Sequence, residues 1–269
     1  MSHLSVSQIN MFFRCSQQWV FRYIDGIKMP PGIAAHVGSG VHKGSELDLI
    51  AKRDTGKHEP ESVVVDAAVS GYEERLNSEG IFLPREDAPN AQKLLGQGKD
   101  QTVDLARLWY HDVAPTIEPM LIEESITMPV EGLDIPLMGK VDLLESNHTL
   151  RDLKTAGKKM SQADADSSLQ PTLYRELVKH HTGKYPSSIS FDVLVKKKVP
   201  EAHRIETIRN DSDFDALVLR AQSMLKQIDA GNFGPADPGA WICSEKWCGF
   251  WSSMCPFISD RQRKLSRIQ

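Results

Sequence analysis

The sequence predicts an α/β domain built around a mixed β-sheet, and three observations predict it. Residues 5–118 carry apolar side chains at helical spacing. The texture changes at residue 119, where three strand-like segments follow one another across turn signals. A helix, a fourth alternating strand and a last helix then complete the pattern. An order of helix, three strands, helix, strand is that of a sheet covered by helices, with parallel and antiparallel neighbours.

SVSQINMFFRCSQQWVFRYIDG, residues 5–26, reads as one helix. Ser5 or Ser7 can cap it. Ile9, Phe12, Phe13, Trp19, Val20 and Tyr23 form its apolar face, and Gly26 is a stop signal. MPPG at 29–32 breaks the chain, and a second helix runs from about Gly38 to Lys52. Residues 60–118 read as amphipathic helices, punctuated by LPREDAPN at 83–90. PMLIEESITMPVEG (119–132), LDIPLMGKVDLLES (133–146) and NHTLRDLKTAG (147–157) are the three strands. Short turns at Glu131–Gly132 and Ser146–Asn147 favour an antiparallel meander. DADSSLQPTLYRELVKHHTG (164–183) reads as a helix, with Pro171 in its first turn or kinking it. PSSISFDVLVKK (186–197) alternates as the fourth strand. DSDFDALVLRAQSMLKQIDAG (211–231) is the last helix, stopped by Gly231.

The 269 residues are 40% hydrophobic and 25% charged, the range of soluble globular proteins. No apolar run approaches the roughly 20 residues of a membrane span, so no membrane partner is expected. MSHLSVSQINMFFRC lacks a basic segment followed by an apolar one, so no signal peptide is expected and the compartment expected is the reducing cytoplasm. There, clustered cysteines serve metals more often than disulfides. The net charge of −4 leaves room for an anionic partner, because a basic groove can sit in an acidic remainder. Basic residues cluster at 151–159, 196–198 and 261–267, although each run alone reads as a solvated face.

Asp142 in GKVDLL, and Asp152 and Lys154 in LRDLKTA, form the first chemical constellation. A hairpin between the second and third strands can bring the two carboxylates together. Asp152 and Lys154 are two apart and share a face of their strand. Carboxylate oxygens are the hard ligands that Mg²⁺ or Mn²⁺ prefers, and a neighbouring ammonium can orient a water and stabilise phosphate charge. D-x9-D-x-K alone would equally describe strand-end charges in solvent. His42 lies on the second helix with Glu46 one turn on, placed to face the aspartates if that helix packs on the sheet. Gln170 and Tyr174, at i and i+4, could hold a phosphate or stack a base; Tyr174 would equally suit a half-buried core.

Taken together, GSGVH (38–42), GKVD (139–142), DLK (152–154) and QPTLY (170–174) resemble the PD-(D/E)XK nuclease superfamily. The likeness is closest to its RecB-type exonuclease branch, with motifs G-x-x-x-H, G-x-x-D, D/E-x-K and Q-x-x-x-Y in this order. Asp152 stands where glutamate is commoner. The resemblance covers the chain outside residues 55–118, which it makes a helical insertion, and implies a restriction-endonuclease-like core in one nuclease domain over 1–269. It implies that Asp142, Asp152, the Leu153 carbonyl and His42 ligate Mg²⁺ or Mn²⁺, that Lys154 positions the attacking water, and that Gln170 and Tyr174 hold the DNA strand. Lys154, Asp142 and Asp152 are then the catalytic set. Glu46 is not demanded by the motif.

Cys243, Cys248 and Cys255, spaced C-x4-C-x6-C, are joined in this chain only by Cys15. Four thiolates suit an iron–sulfur cluster or zinc. A subset of the RecB-type branch, which includes the AddB nucleases and the CRISPR-adaptation nucleases, holds a [4Fe–4S] cluster with one cysteine before the motifs and three near the C-terminus. The resemblance therefore implies a cluster that clasps the 241–256 segment to the first helix. The spacing here is wider than the C-x2-C-x5-C frequent in that subset. Trp241, Trp247, Phe250 and Trp251 surround the cysteines, with shielding the expected role and base stacking the sharper one.

The activity so implied is exonucleolytic hydrolysis of DNA from single-stranded ends, in recombination, repair or phage DNA metabolism. The chain carries no helicase motif, so any unwinding would come from a helicase or recombination partner. An endonuclease or end-trimming subunit of a larger complex, a non-catalytic DNA-end binder and a redox sensor are the competing readings.

Overall fold

The computed structural model describes residues 1–237, 239–251 and 253–257; the basic run at 261–267 lies outside them. The chain begins with α1 (Val6–Arg14) and α2 (Ser16–Tyr23), where the sequence suggests one helix. Ser5 caps α1 by accepting the Gln8 N–H at 3.3 Å. Cys15 is extended at φ −165° and ψ 99°, so it ends one helix and opens the next. Apolar periodicity continues across this break because both helices bury the same side, through Ile9, Phe12 and Trp19.

α3 (Ile33–Thr55) is longer than expected at both ends. α4 (Glu61–Glu79) and α5 (Ala91–Leu108) pack against it, followed by a π turn (Trp109–Val113) and a 3₁₀ turn (Ala114–Thr116). The helices meet closely through glycine: a Cβ on Gly40 would stand 2.5 Å from the Ala68 carbonyl oxygen. Val37, Val41, Leu49, Val64, Tyr72, Leu105 and Trp109 form the core between these helices and one face of the sheet.

The sheet has five strands in the order β1 (Pro119–Met128), β2 (Leu137–Glu145), β3 (Thr149–Ala156), β4 (Ser188–Val195), β5 (Glu201–Thr207). β1, β2 and β3 form the expected antiparallel meander. The first connection spans residues 129–136 and is no tight turn. α6 (Gln162–Ser167) and α7 (Leu169–Thr182) cross over to β4, which lies parallel to β3. Ser168 separates the two helices, and Pro171 sits in the first turn of α7, where its missing N–H costs nothing. β5 pairs antiparallel with β4 and has no counterpart in the sequence reading. Its side chains are mostly half-buried, so EAHRIET shows no apolar alternation. α8 (Asp211–Asp229) joins α1 and α7 on the second face, where Leu144, Leu150, Leu173, Leu177, Leu217 and Met224 form the other core.

Candidate metal and active centre

Every strand pairing but one is extensive. β3 and β4 pair along their whole length, whereas β2 and β3 pair only at Leu143–Arg151 and Leu144–Leu150. One further step in the same register sets Asp142 opposite Asp152. There the ladder stops, and Asp142 Oδ2 instead accepts the Leu153 N–H at 3.1 Å. Two facing carboxylates thus mark the point where β2 parts from β3.

β1 is distorted at the same level. Ile122 belongs to the core under α3, yet Ile126, an even number of residues on, belongs to the opposite core. A regular strand would send both to one face. Glu123 lies between them at φ +49°, a left-handed conformation that costs a non-glycine residue about 1–3 kcal/mol and recurs at functional sites. It turns the Glu123 carboxylate toward α3.

α3 brings His42 down between these strands. Its Nδ1 lies 2.9 Å from Glu123 Oε1, and its Nε2 lies 3.0 Å from the Leu153 carbonyl oxygen and 3.9 Å from Asp142 Oδ2. His42, Glu123 and Asp142 each offer a ligand atom within 4.8 Å of the others. On the other side of β3, Lys154 Nζ lies 2.5 Å from Asp152 Oδ2 and donates to Gln170 Oε1 at 2.9 Å. Gln170 Nε2 donates to the Tyr174 hydroxyl at 2.7 Å.

Burial and charge crowding dominate the electrostatics. Burial, and then the Asp152 charge, push the Asp142 carboxyl up to about 7. Burial also raises Asp152. Burial works against a charged His42, but the Glu123 bond and the Asp142 charge overcome it and raise the imidazole to about 9. Lys154 is raised too, its desolvation outweighed by Asp152 and Asp142. Asp152 is only 4% exposed, and its Oδ1 meets no hydrogen-bond donor among the described residues. A buried carboxylate oxygen without a donor, beside a second carboxylate, a carbonyl and an imidazole, fits a divalent cation of the Mg²⁺ or Mn²⁺ type.

All the motif residues expected at the site therefore meet at one strand parting, with α3 on one face and α7 on the other. Two functional candidates escaped the sequence reading. Glu123, rather than Glu46, is the carboxylate beside His42; Glu46 pairs with Lys43 at 3.2 Å. Lys140 reaches Glu123 Oε2 at 2.7 Å. The available signal was Glu123–Glu124, two acids in succession in the middle of a strand that begins and ends on apolar residues. The Tyr174 ring is 7% exposed and packs in the core, so it offers no base-stacking face. Gly139 makes room for it: a Cβ there would stand 2.8 Å from Tyr174 Cε1.

Two buried arginines brace this arrangement. Arg151, 1% exposed, donates to Asp192 Oδ2 at 2.7 Å and Glu145 Oε1 at 3.2 Å, tying β3 to β4 and β2. Arg209 donates to the Ala165 and Ser168 carbonyls at 2.8 and 3.0 Å and to Thr172 Oγ1 at 3.0 Å. It fixes the joint from which α7 presents Gln170.

The cysteines gather elsewhere. The segment after α8 is stitched to α2 by Ser16 Oγ, which accepts the Gly234 N–H at 2.8 Å, and by Phe21 against Phe250 at 5.0 Å. All four cysteines are half-buried. Burial raises the Cys248 thiol, and charge on Cys15, Cys255 and Cys243 adds to it; burial and charge on Cys15 and Cys255 raise Cys243 in the same way. Gln18 Nε2 donates to Cys248 Sγ at 3.9 Å. Of the surrounding aromatics, Phe250 is buried and Trp251 partly so. Trp241 and Trp247 are 63% and 55% exposed and pack edge to face at 5.5 Å, so these two do not have the burial expected of a shield.

The family described as the PD-(D/E)XK nuclease superfamily matches residues 3–256. Among solved structures, a candidate exonuclease from Eubacterium rectale superposes with a TM-score of 0.56 at 14% identity, over 90% of this chain and 87% of that one. The structure of SSO0001 aligns over 91% of this chain and 95% of its own at 12% identity, with a TM-score of 0.36, too low to carry an argument. No curated protein matches the chain.

Proposed function

The chain belongs to the PD-(D/E)XK nuclease superfamily, and from that premise we propose that it is a metal-dependent DNA exonuclease of the RecB type, hydrolysing phosphodiester bonds from single-stranded ends. The observation that supports this most is the meeting of His42, Asp142, Asp152 and Lys154 where β2 parts from β3.

In this reading Asp142, Asp152, the Leu153 carbonyl and His42 hold the cation, and Glu123 fixes the imidazole through Nδ1, a usual arrangement for a ligating histidine. A bound Mg²⁺ or Mn²⁺ supplies Lewis-acid polarisation of the phosphate and a more acidic water. Lys154 keeps its ammonium charged beside two carboxylates, orients the attacking water and stabilises charge growing on the phosphoryl oxygens. Gln170 holds Lys154 in place and, with the Tyr174 hydroxyl, borders the path of the strand.

Cys15, Cys243, Cys248 and Cys255 hold a [4Fe–4S] cluster in the same reading, with zinc as the alternative. An absorbance spectrum of protein purified without oxygen separates the two.

Digestion of 5′- and 3′-labelled single- and double-stranded DNA, with Mg²⁺, Mn²⁺ or EDTA, tests the activity. The expected result is metal-dependent release of short products from single-stranded ends, with circular DNA resistant. Equal cleavage in EDTA would refute the metal assignment, and rapid cutting of circles would refute the exonuclease assignment.

A further inference from the structure

A groove of about 310 Å³ opens beside the candidate centre, between α1, β2 and the start of α7. Ser7 and Asn10 of α1 line one side, Lys140 and Gly139 of β2 its floor, and Ser168 and Gln170 the other side. Its position is fixed, because the Leu4 backbone pairs with the start of β2: Leu4 N–H donates to the Pro136 carbonyl at 2.9 Å, and Met138 N–H donates to the Leu4 carbonyl at 2.8 Å. It is continuous with the centre through two residues. Lys140 pairs with Glu123, and Gln170 accepts Lys154.

The chemistry of the lining differs from that of the centre. Asp142, Asp152 and Glu123 crowd the centre with carboxylates, whereas the groove combines hydroxyls, amides and one lysine with the apolar Val6, Met138 and Leu173, and has no carboxylate. Ser7 and Asn10 are exposed, so their polar groups face whatever enters. The volume is at the small end of ligand pockets, about 300–1,000 Å³. It is a space of about the size of one nucleotide.

We infer that this groove seats the nucleotide adjoining the scissile phosphate, with Lys140 on its phosphate and Ser7 and Asn10 as hydrogen-bonding partners. The inference rests on the nuclease reading and adds α1 to the substrate site.

Ser7→Glu and Asn10→Asp place an acid in the groove. Position 7 is in the first turn of α1, where an acid favours the helix, so loss of binding there is not loss of fold. Fluorescence anisotropy with a labelled oligothymidylate of about ten nucleotides, within usual single-strand site sizes, is read in the Lys154→Ala background with Mg²⁺. Each substitution is expected to weaken binding by about tenfold or more, since like charges now meet; Ser7→Ala is expected to weaken it much less. Unchanged binding by both acidic variants overturns the inference. If the wild type digests no DNA yet oligonucleotide binding responds to both acids, the nuclease reading fails and the groove stands. If digestion proceeds and both acidic variants bind like the parent, the reverse holds.

Discussion

At the scale of single residues, Asp142 and Lys154 make opposite demands on the fold. Asp142 is held near the strand parting at a cost, because burial and the Asp152 charge both oppose its ionisation. Asn would keep an oxygen for the Leu153 N–H and remove the charge. Asp142→Asn is therefore predicted to raise the melting temperature of metal-free protein at pH 8, by about 2–4 °C for each kcal/mol relieved, while abolishing cleavage. A lower melting temperature would show that the crowding has been misjudged. Lys154 is predicted to be needed for the chemistry: Lys154→Ala should slow cleavage by about 10²–10³ with circular dichroism unchanged, and wild-type rates would remove it from the mechanism. Both residues were legible in the sequence, as were His42, Gln170 and Asp152, because their types and order carry the motif. Glu123 was not. Its role depends on a left-handed backbone at φ +49° inside a strand, a conformation no residue type announces.

At the scale of elements, the centre depends on how β2, β3, α3 and α7 are held apart by set amounts. Arg151 is surrounded by Asp192 and Glu145 in a buried network. Removing one member of such a network leaves a buried charge unpaired, which costs about 3–5 kcal/mol. Arg151→Ala is predicted to lose that much in urea unfolding, and a loss under 1 kcal/mol, the value of a surface ion pair, would mean that water reaches the pair. Gly139→Ala is predicted to push Tyr174 and Leu177 off β2, costing about 1–3 kcal/mol through overpacking and weakening DNA binding; a neutral effect would show that α7 can yield. The meander and the long helices were readable from period, but the short turn expected at Glu131–Gly132 is a longer connection, and of the two places expected for Pro171 the structure takes the first turn, in a helix that starts at Leu169. The break at Cys15 was hidden because α1 and α2 bury one continuous face. β5 was hidden because charged side chains interrupt it, half-buried at Glu201 and exposed at Arg204 and Glu206; Arg204 pairs with Asp192 at 2.9 Å.

At the scale of the whole molecule, the two ends of the described chain meet at α2 and the segment after α8, with Cys15 in electrostatic reach of cysteines more than two hundred residues away. A metal group held by all four would close that long loop and contribute folding energy. Cys15→Ala is predicted to lose the visible absorbance of the anaerobic protein and to lower its melting temperature; a variant that keeps both would remove Cys15 from the ligand set. The fold as a whole was readable because order and spacing of elements survive two missed helix breaks, at Cys15 and at Ser168 within the single helix expected over 164–183, and one missed edge strand. The identity of the group at the sulfurs was not, since the same four thiolates suit zinc. The central claim is that residues from α3, β2 and β3 meet around one divalent cation. It is tested most directly by an anomalous difference map of crystals grown with Mn²⁺. The account predicts one peak within about 2–2.5 Å of Asp142, Asp152 and the Leu153 carbonyl, with His42 adjoining. Manganese bound only at sites remote from these groups would contradict it.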